Sequence, residues 1–257
     1  MGHRRFVDQL ENLGRESASV ARFVYAGETI EYRASKSKRL LQRLNETAVF
    51  WITVQSALQT SAYISLGRVF GTLGKFNISN LLIAFERDAS EFQRPALSKR
   101  KWDGTGSKPE WLDEYLDTAY YPTAADVAEI RIGVEKQRKT YERAAEEVRN
   151  QYFAHRAEIS PDAVNALFGK SKVQEICGLA LFLVILHDAL NELYLNGRKP
   201  EIRPLRTAMR GVLVRQREKR KQRAALEPQE AIAQDVDDLM DALLSVGFDD
   251  TKRRKRL

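Results

Sequence analysis

The segment Arg149-Asn-Gln-Tyr-Phe-Ala-His155 places a permanent cation and a titratable imidazole six positions apart. Arginine stays protonated at every physiological pH and offers a planar fork of donors that matches a phosphate. Histidine gives or takes a proton near neutrality. Such a pair meets the minimum for cutting RNA without a metal. A base removes the ribose 2′-proton, the 2′-oxygen attacks the adjacent phosphorus, and the cation offsets charge on the non-bridging oxygens. Two plainer readings stand beside this one: Arg149 pairing with Glu146 at i−3, and His155 as a satisfied core histidine.

Helix geometry constrains the pair. On an ideal α-helix residues 149 and 155 lie about 120° apart, so they converge only if the helix unwinds near Ala154 or two copies face each other across a dimer. His155 continues the Val148/Tyr152 stripe and is expected to face packing partners. Tyr152, at i−3, is placed to hydrogen-bond or stack on His155 and is taken as a supporting residue.

Other chemistries find little support. The lone Cys177 allows no intramolecular disulfide, and the only histidines are His3, His155 and His187, so neither a cysteine-built nor a His-rich metal centre is expected. No metal and no cofactor are predicted. Gly74-Lys75 lacks the upstream glycine of a phosphate loop, and Gly104-Thr-Gly106 has no strand before it. Neither HExxH nor G-x-S-x-G occurs. His187 is read as structural and Cys177 as a small buried hydrophobe.

The elements that must hold this segment are helices. Of 257 residues, 43% are apolar and 30% charged, too apolar for a disordered chain. Alternating strand patterns are nearly absent, while apolar residues recur at three-and-four spacing throughout. Phe6, Leu10 and Leu13 begin a first helix that continues through Phe23 and is punctuated by Gly27; a basic helix with Leu40, Leu41 and Leu44 follows. Asn45 or Thr47 caps a helix from about Ala48 to Leu73, apolar on more than one face and so expected to be wrapped by others. Asn77 or Ser79 caps the next. Residues from about 89 to 122 read as a long loop, with a helical turn or two over Trp111–Leu116; the cations and Trp102 within Ser98–Pro109 suit a disordered insertion or single-stranded RNA.

Thr123 then starts a long helix, with Val127, Val134, Tyr141, Val148 and His155 at intervals of seven. Ser160-Pro161 ends it or begins a short helix over Ala163–Phe168. Val173–Leu195 is strongly apolar and closed by Asn196-Gly197. Its longest apolar run, Ile176–Leu186, is shorter than the ~20 residues a bilayer requires, so a buried helix is expected. The N-terminus turns polar before an apolar stretch builds up, so no secretory signal and no membrane association are expected, and a cytoplasmic location is. The fold class is all-α: a bundle over residues 1–200 and an appendage over 201–257.

Charge is concentrated in that appendage. Of the net +7, residues 203–257 supply 14 basic against 9 acidic side chains, and residues 1–202 supply 28 against 26. Arg206, Arg210, Arg215, Arg217, Lys219, Arg220, Lys221 and Arg223 are the candidate phosphate-binding residues, with the basic tail Lys252–Arg256 as a supplement. An acidic amphipathic segment with Ile232, Val236, Leu239, Leu243 and Leu244 lies between them. It either folds back on the basic helix or docks on a protein partner. A DNA-binding regulator lacks support, as no helix-turn-helix spacing is evident.

Arginine followed at once by a polar residue, with histidine near a helix end, resembles the R-x(4–6)-H motif of HEPN domains, in which asparagine is the favoured second residue. The context Val49–Leu58, Ala62–Arg68 and Ile78–Leu82 is similar to the HEPN group named after abortive-infection protein U, a bacterial phage-defence factor; the likeness covers about residues 30–200. The resemblance implies a helical bundle that dimerises through the motif face. It also implies a metal-independent endoribonuclease leaving a 2′,3′-cyclic phosphate, acting as a toxin or phage-defence effector on RNA such as tRNA, with an antitoxin or other protein as a further partner. Arg149 and His155 would be catalytic, with Asn150 orienting or polarising them. Since some HEPN proteins are inactive, the alternative is a catalytically silent module for protein or nucleic-acid binding.

Overall fold

The computed structural model describes residues 5–154, 162, 166–167, 169, 171–203 and 205–245. Among them there is no strand, and the fold is all-α. The helices are α1 (Phe6–Lys36), α2 (Lys38–Glu46), α3 (Ala48–Phe70), α4 (Ile78–Arg87), α5 (Arg94–Lys101), α6 (Leu112–Thr118), α7 (Ala124–Tyr141), α8 (Val173–Asn196), α9 (Met209–Gln222) and α10 (Pro228–Ser245). A 3-10 turn spans Ala89–Phe92, and π turns span Glu142–Glu146 and Arg149–Ala154 beyond α7. The described residues divide into two compact units, one within Met1–Ala21 and Thr60–Thr207, the other within Arg22–Gln59 and Ala208–Leu257. The C-terminal segment thus groups with residues 22–59, where an appendage to a 1–200 bundle was expected.

In the first unit α8 is the central element. Ile176 through Leu186 are buried without interruption, and Leu190 and Leu193 extend the buried surface. Among the described helices α8 alone is long and apolar enough to cross a membrane, and 67% of its most apolar window is buried within the protein. Gly197 ends it in the left-handed conformation at φ 56°, with its N–H donating to the Leu193 carbonyl at 3.0 Å. Phe6, Phe85, Phe92 and Tyr194 form an aromatic cluster with ring separations of 4.6–5.8 Å. Asn77 caps α4 by accepting from the Asn80 N–H at 2.9 Å, and Thr123 and Asp126 form a reciprocal capping box at the start of α7.

The stretch expected as a loop contains α5 and α6. Leu97, Leu112 and Leu116 form a small core of their own with Trp102 and Tyr115, and Tyr115 Oη donates to the Asn196 carbonyl at 2.7 Å. Each helix is too short to show periodicity; what holds them is burial of one or two leucines apiece.

In the second unit Ala26, Ile30, Leu40, Leu44, Val236 and Met240 make the core, joining α1, α2 and α10. Gly27 does not punctuate α1, which runs on to Lys36. Gln55 Nε2 on α3 donates to the Gly27 carbonyl at 3.3 Å, and a Cβ at Gly27 would stand 3.0 Å from Gln55 Oε1. Glycine here serves close approach. The start of α3 is not wrapped as expected: Val49 is 80% and Ile52 68% exposed, whereas Ala62, Tyr63, Ser65, Leu66, Gly67, Val69 and Phe70 are buried.

Candidate active site

Arg149 and Asn150 open a π turn, and the helix leaves ideal α geometry already at Glu142. A π turn bonds i to i+5 and so widens the helix, as happens often at functional sites. The stripe Val127, Ile130, Val134, Tyr141, Ala145 and Val148 is buried as expected. Tyr152, which should continue it, is 41% exposed because the extra residue per turn rotates it off the buried face. The rotation per residue of an ideal α-helix therefore does not hold over Arg149–Ala154. His155 lies outside the described residues, as do Ser160-Pro161, the basic tail and His3.

Arg149 is half-buried, and among the described residues it makes no ion pair, with Glu146 or any other carboxylate. Its Nη1 donates to Asn150 Oδ1 at 2.6 Å. Its Nε is buried and has no hydrogen-bond partner among the described residues. Beneath it lies α3: a Cβ built at Gly67 would stand 2.6 Å from Arg149 Nε, 3.1 Å from Cδ and 3.2 Å from Cζ. Close by is Tyr141, stacked on Phe70 at 5.4 Å. Burial pushes its phenol up to about 12, a rise the positive charge of Arg149 partly opposes. A cation held beside apolar rings with donors unspent favours an anion.

The same turn carries aromatic groups that pack on one another and on α3. Tyr152 meets Phe153 edge-on at 4.9 Å, and Phe153 packs on Tyr63 at 5.1 Å. Tyr63 Oη and Ser171 Oγ share a hydrogen bond of 2.5 Å, and burial raises the Tyr63 phenol above its ordinary range. Arg143 is spent on Glu175 at 2.8 Å. Among the described residues no cluster of His, Cys, Asp and Glu could hold a metal ion.

The remaining described histidine, His187, has Nδ1 3.1 Å from Asp188 Oδ1, and its ring lies against Gly14, where a Cβ would stand 2.6 Å from Nε2. Cys177 is buried. Gly67 was not singled out in the sequence, although a glycine inside an apolar helix is a signal of close approach.

A model of the HEPN family described as AbiU2 matches residues 4–212. The chain belongs to the AbiU2 family of HEPN domains. No curated protein and no solved structure matches it. The family match covers the helical bundle and reaches the start of α9, so the AbiU2 domain includes Arg149, Asn150 and the α3 segment beneath them.

The candidate phosphate-binding residues on and beside α9 divide in two. Lys219 Nζ donates to Glu230 at 2.6 Å and Arg215 Nε to the same carboxylate at 3.3 Å; Arg217 reaches Asp237 at 2.9 Å and Arg220 reaches Asp238 at 3.2 Å. The acidic helix α10 folds back on α9, one of the two arrangements considered from sequence. Arg33 on α1 adds further pairs to Asp237 and Asp241. Arg210, Lys221 and Arg223 are exposed and make no ion pair among the described residues; Arg206 is exposed on the segment before α9.

Proposed function

We propose that this HEPN protein is a metal-independent endoribonuclease. His155 takes the ribose 2′-proton, O2′ attacks the adjacent phosphorus as the P–O5′ bond breaks, and the leaving 5′-oxygen takes a proton from water, giving a 2′,3′-cyclic phosphate and a 5′-hydroxyl. Arg149 neutralises the charge that builds on the non-bridging oxygens, and Asn150 holds its guanidinium. The observation that carries this reading is the state of Arg149: half-buried, unpaired by any described carboxylate, braced by Asn150 and Gly67, and within the residues the family model matches. Its surroundings support an anion-binding role over the ordinary i−3 ion pair.

In this reading the protein acts in the cytoplasm as a toxin or phage-defence effector, as a homodimer whose two motifs share a cleft, on RNA such as tRNA. An antitoxin or other protein partner would restrain it. Exposed Arg210, Lys221 and Arg223 are the cations proposed to meet RNA, since the α10 carboxylates already engage Arg215, Arg217, Lys219 and Arg220; Arg206 is added for its exposure alone.

The deciding experiment incubates total RNA or tRNA in EDTA with wild type, Arg149→Ala and His155→Ala, and assays cyclic-phosphate ends. Cleavage by wild type alone supports the reading. Equal cleavage by all three rejects the catalytic assignment, and the absence of cleavage by wild type favours a binding module.

A further inference from the structure

Arg149 has three guanidinium nitrogens, and the structure accounts for two of them. Nη1 is held sideways by Asn150 at 2.6 Å, while Nε faces α3 and is buried without an acceptor. Nη2 has no partner among the described residues and is the donor left for a phosphate oxygen. What fixes the depth of the group is the surface of α3. Carbon–nitrogen contacts rarely fall far below about 3.5 Å, yet a Cβ at Gly67 would lie 2.6 Å from Nε and within 3.2 Å of Cζ. Any side chain at this position occupies the space the guanidinium uses.

Building on the nuclease reading, we propose that Gly67 is a positioning residue of the site, whose missing side chain seats the Arg149 guanidinium at the depth phosphate contact requires. Glycine inside a helix gives up stability relative to alanine, and at Gly67 the vacated volume is filled by a charged group from another element. Gly133 on α7 makes the contrast: a Cβ there meets nothing within 4 Å. The Gly67 backbone is fixed in the buried part of α3 between Leu66 and Val69, whereas the Arg149 side chain turns about several single bonds and is held at its end by one hydrogen bond. An added methyl therefore moves the guanidinium and leaves the helix in place.

The test compares wild type, Gly67→Ala, Arg149→Ala, the double variant and Gly133→Ala. Its readouts are RNA cleavage in EDTA, urea unfolding, and the nitrogen-15 Nε–Hε signal of Arg149, assigned by its loss in Arg149→Ala. Gly67→Ala is expected to lower kcat on the order of a hundredfold, with KM within about threefold, because the lost contact belongs to the transition state. It also shifts the Nε–Hε signal and causes no further loss of residual cleavage once Arg149 is alanine. If the methyl instead weakens folding, Arg149→Ala restores the unfolding midpoint by removing the obstructed atoms. The proposal is overturned if Gly67→Ala leaves the signal and kcat as in wild type. It is equally overturned if its penalty has the same size with Arg149 absent. A wild type that cuts no RNA rejects the nuclease reading alone, because the signal shift and the unfolding cycle still decide the role of Gly67.

Discussion

Lys219 donates to Glu230 across the α9–α10 pair at 2.6 Å, and the side chain of that glutamate is only 1% exposed. The same carboxylate accepts from Arg215 Nε and from the Glu227 backbone N–H at 3.1 Å, so it caps α10 while bridging two cations. Burying a carboxylate is tolerable when every acceptor site is used. Truncating it removes the acceptor that two half-buried cations and an amide share. Glu230→Ala is expected to cost about 2–3 kcal/mol in urea unfolding of the full chain, and Asp238→Ala, at an exposed pair, under about 0.5 kcal/mol. Equal effects would show that burial of Glu230 does not set the strength of the bridge.

Arg149 offers a sharper discrimination. Lysine keeps the charge but loses the planar fork and Nε. Arg149→Ala is expected to lower cleavage by about 10²–10³-fold and Arg149→Lys by roughly tenfold less, with unfolding midpoints close to wild type because no ion pair is lost. If lysine behaves as wild type, a point charge suffices and the bracing by Asn150 has no catalytic role. Asn150→Ala, which removes only that brace, is expected to fall between wild type and Arg149→Ala, and wild-type cleavage by this variant would likewise show that the brace has no catalytic role.

Part of this architecture was legible in the chain itself. Asn77, Thr123 and Gly197 mark helix ends because each uses local chemistry, a side-chain acceptor or a left-handed backbone, that depends on a few neighbours. Arg149-Asn150 was likewise visible as a motif. Features that arise between distant elements were not. Gly27 reads as a stop but lies within a 31-residue helix, because Gln55 from α3 uses the space it leaves. The π turns shift the stripe beyond Val148 and carry Tyr152 to the surface, which no constant period foresees. The charge run on α9 read as a surface for phosphates, and half of its candidates are engaged by α10 carboxylates eleven or more positions away. Gly67 differs from any other helical glycine only by what lies above it.

Two glycines should respond in opposite directions to the same methyl. At Gly197 the backbone has φ 56°, and a Cβ would stand 2.7 Å from Leu97 Cδ2 and 3.0 Å from Ala119 Cβ. The left-handed conformation alone costs an L-residue about 1–2 kcal/mol, so Gly197→Ala is expected to destabilise by about 2 kcal/mol or more. Gly133 lies in α7 with open space around it, and Gly133→Ala should stabilise by about 0.5–1 kcal/mol. Thermal or urea unfolding measures both; a loss at Gly133 would mean that an unseen neighbour covers that face of α7.

The acid and neutral limbs of stability should report two different carboxylates. Asp126 is lowered to about 2 by hydrogen bonds from the Tyr120 hydroxyl, the Thr123 hydroxyl and the Thr123 N–H. Its folded value lies below the unfolded 3.8, so its contribution is complete above pH 4 and is lost as pH falls towards 2. Glu28 is shifted the other way, to about 7, chiefly by burial and then by repulsion from Glu31. The folded chain holds that proton while the unfolded chain, at 4.5, has released it. Stability from Glu28 is therefore full below pH 4.5 and declines as pH rises through 7. Glu28→Gln removes this titration, and its advantage over wild type should grow from near zero at pH 4.5 to about 2 kcal/mol at pH 8. Urea midpoints at half-unit intervals supply the comparison, and parallel profiles for the two proteins would place the Glu28 carboxyl in water rather than in the second unit's interior.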